Sequence, residues 1–340
     1  MPIKETLSSL DLPRAAPPAS SLAGRLKRAV FGISPGETSF AKRRFRGDSE
    51  AVRERLEEVG RSFVQGYLTA LEEDRPLPLV ACLDELDREF QGFAYEGAAM
   101  ALALLDTLTP WRRDRFQRFV VEGPGNAQSY ISHVGAGWVM ARLPVPVEPF
   151  LARFEPVMRW LALDGYGFHE GYFHWPRSVA RQEVPARLKG YARRGFDQGL
   201  GRSLWFVDGA DVRLLPKTIG AFPAERQGDL WSGLGLACGY AGGRTRAEIE
   251  ELRRAAGRFA PQLAQGVAFA AEARQRAGSM APQTVLAAEV VCGMSAEEAA
   301  AVTHAARPEI PAGEPVAVAE PAFEVWRRRI QEHFSTRSTP

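Results

Sequence analysis

DQGLGRSLWFV, residues 197–207, is the stretch on which the fold turns. Two glycines stand two apart, at 199 and 201, just ahead of the apolar run Leu204–Val207. A glycine in a helix interior loses about 0.5–1 kcal/mol relative to alanine, so the pair needs an offsetting gain. The device recurs. HVGAGWVMARL begins at His133 and AQGVAFAAEAR at Ala264, and Gly135, Gly199 and Gly266 align at separations of 64 and 67 residues. Each is followed two positions on by a small residue (Gly137, Gly201, Ala268) and soon after by an aromatic (Trp138, Trp205, Phe269). A second echo joins YEG at 95–97, HEG at 169–171 and WSG at 231–233. A missing side chain lets two helix backbones come close, which is the gain the glycines can supply. The expected fold is therefore mainly α. Degenerate helical-hairpin repeats of about 60–70 residues form an arc or toroid-like α/α bundle, with the glycine-rich helices inside and few or no strands.

Other segments agree. Val52, Leu56, Val59, Phe63 and Leu68 fall near one helical stripe. Thr245 with Glu248, and Ser295 with Glu298, read as capping boxes. SLWFVDGADVRLL (203–215) is the best strand candidate, with weak alternation. Three regions are expected. Residues 1–48 form a flexible, basic N-terminal arm, residues 49–306 the helical repeat domain, and residues 307–340 a Pro-rich connector and C-terminal helix. Within the arm, LPRAAPPASS reads as a flexible lead. Leu22, Leu26, Ala29 and Val30 then fall on one helical side and Arg25, Lys27 and Arg28 on the other, with Lys42, Arg43, Arg44 and Arg46 further on. Such an arm is either a solvated basic segment or a surface for an acidic partner or an anionic lipid.

The chain has 340 residues and a net charge of +2, which gives no global field for nucleic acid. Cys82, Cys238 and Cys292 lie far apart, an odd count with no zinc-type spacing, which fits a reducing compartment. The first residues lack a secretory apolar core. AAMALALL, the longest apolar run, is too short to span a bilayer. A cytoplasmic protein, held at a membrane only through a partner, is the expectation.

LDGYGFHEGYFHW (163–175) carries two of the five histidines. Zinc-protease helices place their histidines four apart. His169 and His174 are five apart, about 140° around a regular helix, so they cannot face one metal there. No metal ligands are assigned on this basis, and no cofactor is identified. Glu170 and His174 are four apart and share a face. They read as an acid–base pair, or His174 simply closes the helix end, where Pro176 disfavours helical geometry at Trp175. Glu96, in YEG, is read as the repeat counterpart of Glu170. If the repeats converge on a cavity, the two carboxylates line it and burial raises both pKa values. His133 and Asp197 open the neighbouring segments and complete the candidate catalytic set of Glu96, His133, His169, Glu170, His174 and Asp197. Asp197, Asp208 and Asp229 are expected to cap helices or to rim the same cavity. Tyr95, Trp138, Trp205 and Trp231, with Trp175, are the candidate walls for an apolar or polyunsaturated ligand.

GISPGETSFAKRRF, YEGAAMA, VGAGWVMARL, LDGYGFHEGYF, FDQGLGRSLWFV and DLWSGLGLACGYAGG together resemble a bacterial family. It is a domain of unknown function encoded in gene clusters for enediyne and related polyketides. The likeness runs from about Gly32 to about Gly293. It implies a role in maturing a linear polyene after the synthase, either as an enzyme or as a non-catalytic scaffold. The implied partners are other cluster proteins, one of them a membrane protein. No catalytic residues carry over from the family.

Overall fold

The computed structural model describes residues 21–47, 49–109, 111–309 and 314–337. Among the described residues sixteen α-helices follow one another: α1 Leu22–Phe31, α2 Phe40–Arg43, α3 Glu50–Glu72, α4 Pro76–Asp84, α5 Arg88–Leu108, α6 Ser129–Arg142, α7 Val147–Leu151 and α8 Arg159–Trp175. Then come α9 Ala192–Val207, α10 Leu215–Gly220, α11 Ala224–Tyr240, α12 Arg246–Ala256, α13 Ala260–Arg276, α14 Pro282–Ala287, α15 Ala296–Ala305 and α16 Ala322–Arg337. No strand forms among the described residues. The mainly α expectation therefore holds. The strand candidate at 203–215 does not: it is helical to Val207 and then turns through Gly209 and Ala210, both at positive φ. Leu204, Trp205, Phe206 and Val207 are all buried, and a helix buried all round reads as an unbroken apolar run. Both capping boxes are formed, at Thr245/Glu248 and Ser295/Glu298.

Seven long helices make a row, each packed on the next: α3, α5, α6, α8, α9, α11, α13. Glycine sets the spacing. Residues two apart on a helix point about 200° apart, so a Gly-x-Gly pair offers bare backbone to both neighbours. Leaving aside Gly92, Gly195 and Gly228, the first glycine of each row helix from α6 onward abuts the residue just before the first glycine of the preceding helix: Gly135 meets Glu96, Gly165 meets Val134, Gly199 meets Asp164, Gly233 meets Gln198 and Gly266 meets Ser232. The second glycine abuts the residue three before the next helix's first glycine, as Gly137 meets Ala162 and Gly201 meets Leu230. A Cβ built at any of these positions would fall 1.7–2.1 Å from a backbone carbonyl oxygen. Advancing three residues on one helix moves three residues back on its neighbour, so adjacent helices are antiparallel.

This register corrects the sequence alignment of the repeats. The series that alternates with Gly135, Gly199 and Gly266 is Gly97, Gly165 and Gly233, each 68 residues apart. Gly171 of HEG lies instead against the Ser203 side chain and is outside the series. The counterpart of Glu96 is Asp164, not Glu170.

The row bends back on itself. Arg55 of α3 donates from Nε to the Ala241 carbonyl beyond α11, at 2.7 Å. Arg274 of α13 donates to the carbonyls of Glu89 on α5 and Tyr240 on α11, at 2.8 and 2.9 Å. The C-terminal α16 is fixed on the row by Arg327, fully buried, whose Nη2 lies 2.7 Å from Asp229.

The lead expected to be flexible, LPRAAPPASS, lies largely outside the described residues. Residues 21–47 of the basic arm pack on the row. Gly24 of α1 sits on the Glu72 carbonyl. Beyond α1 a strap crosses three helices. The Phe40 amide donates to Glu57 of α3, the Trp175 indole of α8 donates to the Arg43 carbonyl, and the Arg46 amide donates to Val207 of α9. The acidic residues expected as N-caps are not N-caps. Helices α9 and α11 start several residues earlier, so Asp197 and Asp229 lie inside them, and Asp208 follows the end of α9.

Candidate functional site

Beneath the strap the row encloses a cavity of about 630 Å³, its open mouth included. It is narrow, with room for only a few waters. Phe63, Phe93, Trp138, Phe168, Phe206 and Tyr240, drawn from six helices, line it, and Ile33, Glu37 and Thr38 of the strap belong to its lining too. Two ionisable side chains from the row reach it, Glu96 of α5 and Arg202 of α9. Glu96 stands there because Gly97 and Gly135 bring α3 and α6 hard against its flanks.

Arg202 lies between two carboxylates. Its Nη2 is 3.5 Å from Glu96 Oε1 and its Nε is 2.9 Å from Asp164 Oδ1, while its guanidinium stacks over Phe168 at 4.3 Å. The Gln198 amide donates to the other Asp164 oxygen at 2.9 Å. All four residues are buried. Two carboxyls beside one guanidinium are electrically neutral only if they share one proton. Glu96 is the carboxyl whose surroundings favour holding it. Burial pushes its pKa up to about 7, Arg202 opposes this, and the Asp164 charge adds to it. Two buried donors at the cavity, the Trp138 indole N–H and the Tyr240 hydroxyl, have no hydrogen-bond partner of good geometry. The Trp138 N–H lies near enough to Glu96 to favour its anion weakly.

The remaining sequence candidates scatter. His169, Glu170 and His174 cluster at the end of α8, with Glu170 3.5 Å from His169 Nδ1 and 3.3 Å from His174 Nδ1. They are separated from the cavity by Trp138 and Phe173, which pack on His169 with ring centroids at 5.3 and 4.7 Å. Glu96 and Glu170 therefore do not line one pocket. Their pKa values also move in opposite directions. Burial pushes Glu170 up, but the two imidazoles and Arg177 outweigh it and hold the carboxyl below its usual value. His133 is buried against Phe116 and Phe154, and its Nδ1–H donates to the Ser129 carbonyl at 2.7 Å. Burial lowers its pKa to about 4, so it is neutral and outside the cavity wall. Asp197 pairs with both nitrogens of the Arg226 fork, at 2.9 and 2.5 Å, and ties α9 to α11. Of the proposed aromatic walls, Trp138 is placed there; Tyr95 donates instead to Asp84, Trp205 to the Gly242 carbonyl, and Trp231 is core.

Sequence reasoning missed Asp164 and Arg202. Each had a signal. Asp164 precedes Gly165 as Glu96 precedes Gly97, and Arg202 is the lone charge in the apolar, glycine-rich run 199–207. No curated protein and no solved structure matches the chain significantly. The model of a family described as a protein of unknown function, DUF1702, matches residues 22–334. With nearly its whole length inside that match, the chain belongs to the DUF1702 family.

Proposed function

We propose that the protein binds a slender, largely apolar chain in the cavity beneath the strap, whose aromatic walls part to admit it, and that Glu96 exchanges a proton with it. The observation that carries this reading is one protonatable carboxyl, paired with Arg202, facing a mainly aromatic and aliphatic cavity. A carboxylic acid with a pKa near 7 is poised both to donate and to accept a proton at neutral pH. The unpartnered Trp138 and Tyr240 donors suit a carbonyl or hydroxyl oxygen on the ligand. A linear polyene from an enediyne-type polyketide pathway has this shape and chemistry, and the protein would act on it after the synthase releases it. The test is Glu96→Gln, which keeps the shape and removes the proton. A conjugated tetraene fatty acid, followed by its fluorescence, should bind the variant within about threefold of the native protein. In a producing strain the same variant should accumulate the intermediate seen on gene deletion, by mass spectrometry. Normal product from Glu96→Gln would rule out proton transfer, and no tetraene binding by either protein would rule out the ligand.

Helix α1 favours a second, compatible role at an anionic membrane surface. No helix among the described residues is long and apolar enough to cross a membrane. Leu22, Leu26 and Val30, at i, i+4 and i+8, are 79%, 66% and 63% exposed. Leu77 and Trp111 are also exposed, and Asp74 ties their segments to α1 through Lys27, Arg112 and Arg115. Arg25 and Arg28 rim this patch. Apolar side chains among arginines suit a bilayer carrying acidic headgroups. The protein should sediment with phosphatidylglycerol vesicles and not with pure phosphatidylcholine. Leu22→Ser/Leu26→Ser/Val30→Ser should weaken that binding about tenfold or more. Unchanged sedimentation of the triple variant would exclude α1 as the membrane face.

A further inference from the structure

The structure assigns a metal site to the end of α8: we propose that His169, Glu170 and His174 bind one divalent transition-metal ion. On a regular helix the two histidines would point apart. Here the backbone leaves helical geometry at His174 (φ −128°, ψ 32°), while Trp175 itself stays helical (φ −53°, ψ −31°). The departure expected at Trp175 thus falls one residue earlier, and it swings His174 back. One donor atom from each of the three residues now lies within 4.8 Å of the others. A zinc-type ion needs its ligands at about 2.0–2.2 Å, so the side chains must close by roughly an ångström.

The kink is built into the chain. Pro176 has no amide hydrogen to continue the helix, and the next five residues, Pro176–Ala180, form a π-turn, a feature common at functional sites. The Ser178 hydroxyl lies 3.0 Å from the Glu170 carbonyl and 3.3 Å from that of His174, and donates to the nearer. The Trp175 indole is anchored on the Arg43 carbonyl at 3.0 Å. A second observation points to a ligand. His169 is buried, and its Nδ1 has no hydrogen-bond partner although it faces the Glu170 carboxylate at 3.5 Å. A buried imidazole nitrogen left in that state is uncommon.

Two imidazoles and one carboxylate form a borderline donor set that suits Zn²⁺, Co²⁺ or Ni²⁺ rather than Ca²⁺ or Mg²⁺. Arg142 and Arg177 are the cations whose fields reach the cluster, and Glu170 offsets part of their repulsion. His174, with its side chain 46% exposed, leaves a solvent-facing side for a fourth ligand. Because Phe173 and Trp138 lie between His169 and the cavity, a bound ion would brace that wall.

The full-length protein, stripped with chelator, is titrated with Zn²⁺ by calorimetry and with Co²⁺ by visible absorption. One ion per chain is expected. Glu170→Gln and His174→Ala should each weaken binding by at least about tenfold, and His304→Ala on α15 should not. His174→Ala carries the test even if the buried His169 tolerates no change, since the His174 side chain is half exposed. No binding of either ion, or equal binding by native protein and His174→Ala with a native circular-dichroism spectrum, overturns the site.

Discussion

Gly199→Ala should lose about 3 kcal/mol or more of folding stability in urea or thermal melts, while Gly220→Ala stays within about 1 kcal/mol of the native protein. Both changes add one methyl group, and they differ in what it meets. At position 199 the new Cβ would lie 1.7 Å from the Asp164 carbonyl oxygen, with the carbonyl carbon at 2.5 Å. Backbone cannot rotate out of the way as a side chain can, so α8 and α9 must part by more than an ångström. At Gly220, the last residue of α10, nothing lies within 4 Å and φ is not positive. The damage at 199 should also reach the cavity. Asp164 holds Arg202 across the same helix pair, so parting α8 from α9 pulls apart the ion pair at the cavity floor. Tetraene binding should therefore fall with stability for Gly199→Ala and not for Gly220→Ala. A loss below about 1 kcal/mol at position 199 would show that the row tolerates wider spacing and that bare-backbone contacts do not set it.

The glycine pattern also explains how much could be read beforehand. Gly135, Gly199 and Gly266 are a true series because each meets the backbone of a neighbouring helix where no side chain fits. That demand is local, so it is visible in one chain. The other series was misread because aromatic-acid-glycine triplets look alike whether or not the glycine touches a neighbour. HEG drew the alignment six residues away from the DG of Asp164–Gly165. One wrong register then displaced the site, replacing Asp164 with Glu170 as the partner of Glu96. The neighbours of Glu96 come from α3, α6, α9 and α11, and no periodicity states which distant helices close on which side. Arg202 is 106 residues from Glu96. The His174 kink was illegible for a different reason: a proline signals a break, but its exact residue depends on the Ser178 hydroxyl and the Trp175 anchor taking up the freed carbonyls and holding the turn.

Arg202→Met should destabilise the protein by about 3–5 kcal/mol at pH 8 and by much less at pH 5. The variant keeps the apolar bulk over Phe168 and removes the only guanidinium beside Glu96 and Asp164 among the described residues. Asp164 is fully buried and would keep just the Gln198 amide. Two buried carboxylates without a counter-charge favour their neutral forms, so in the folded variant both bind protons more tightly than in the unfolded chain. The folded state then holds more protons across the acid range, and its stability falls as pH rises. The native protein should have a milder version of the same slope. Glu96 has a folded pKa of about 7 against an ordinary value of 4.5, so its contribution is intact below about pH 4.5 and is lost as pH rises to about 7, roughly 3 kcal/mol in all. Glu96→Gln should remove that native slope, and Arg202→Met/Glu96→Gln should recover part of the loss at pH 8, since one buried charge is gone. Urea melts of the four proteins at pH 5 and pH 8 separate these effects. Equal losses for Arg202→Met at both pH values would mean that the arginine acts through packing on Phe168, and the shared proton at Glu96 would have to be abandoned. If the slope steepens as expected, the chain keeps at this cavity a charge cluster that isosteric apolar residues could replace with a gain in stability. A carboxyl held half-protonated near pH 7 is what that replacement would forfeit.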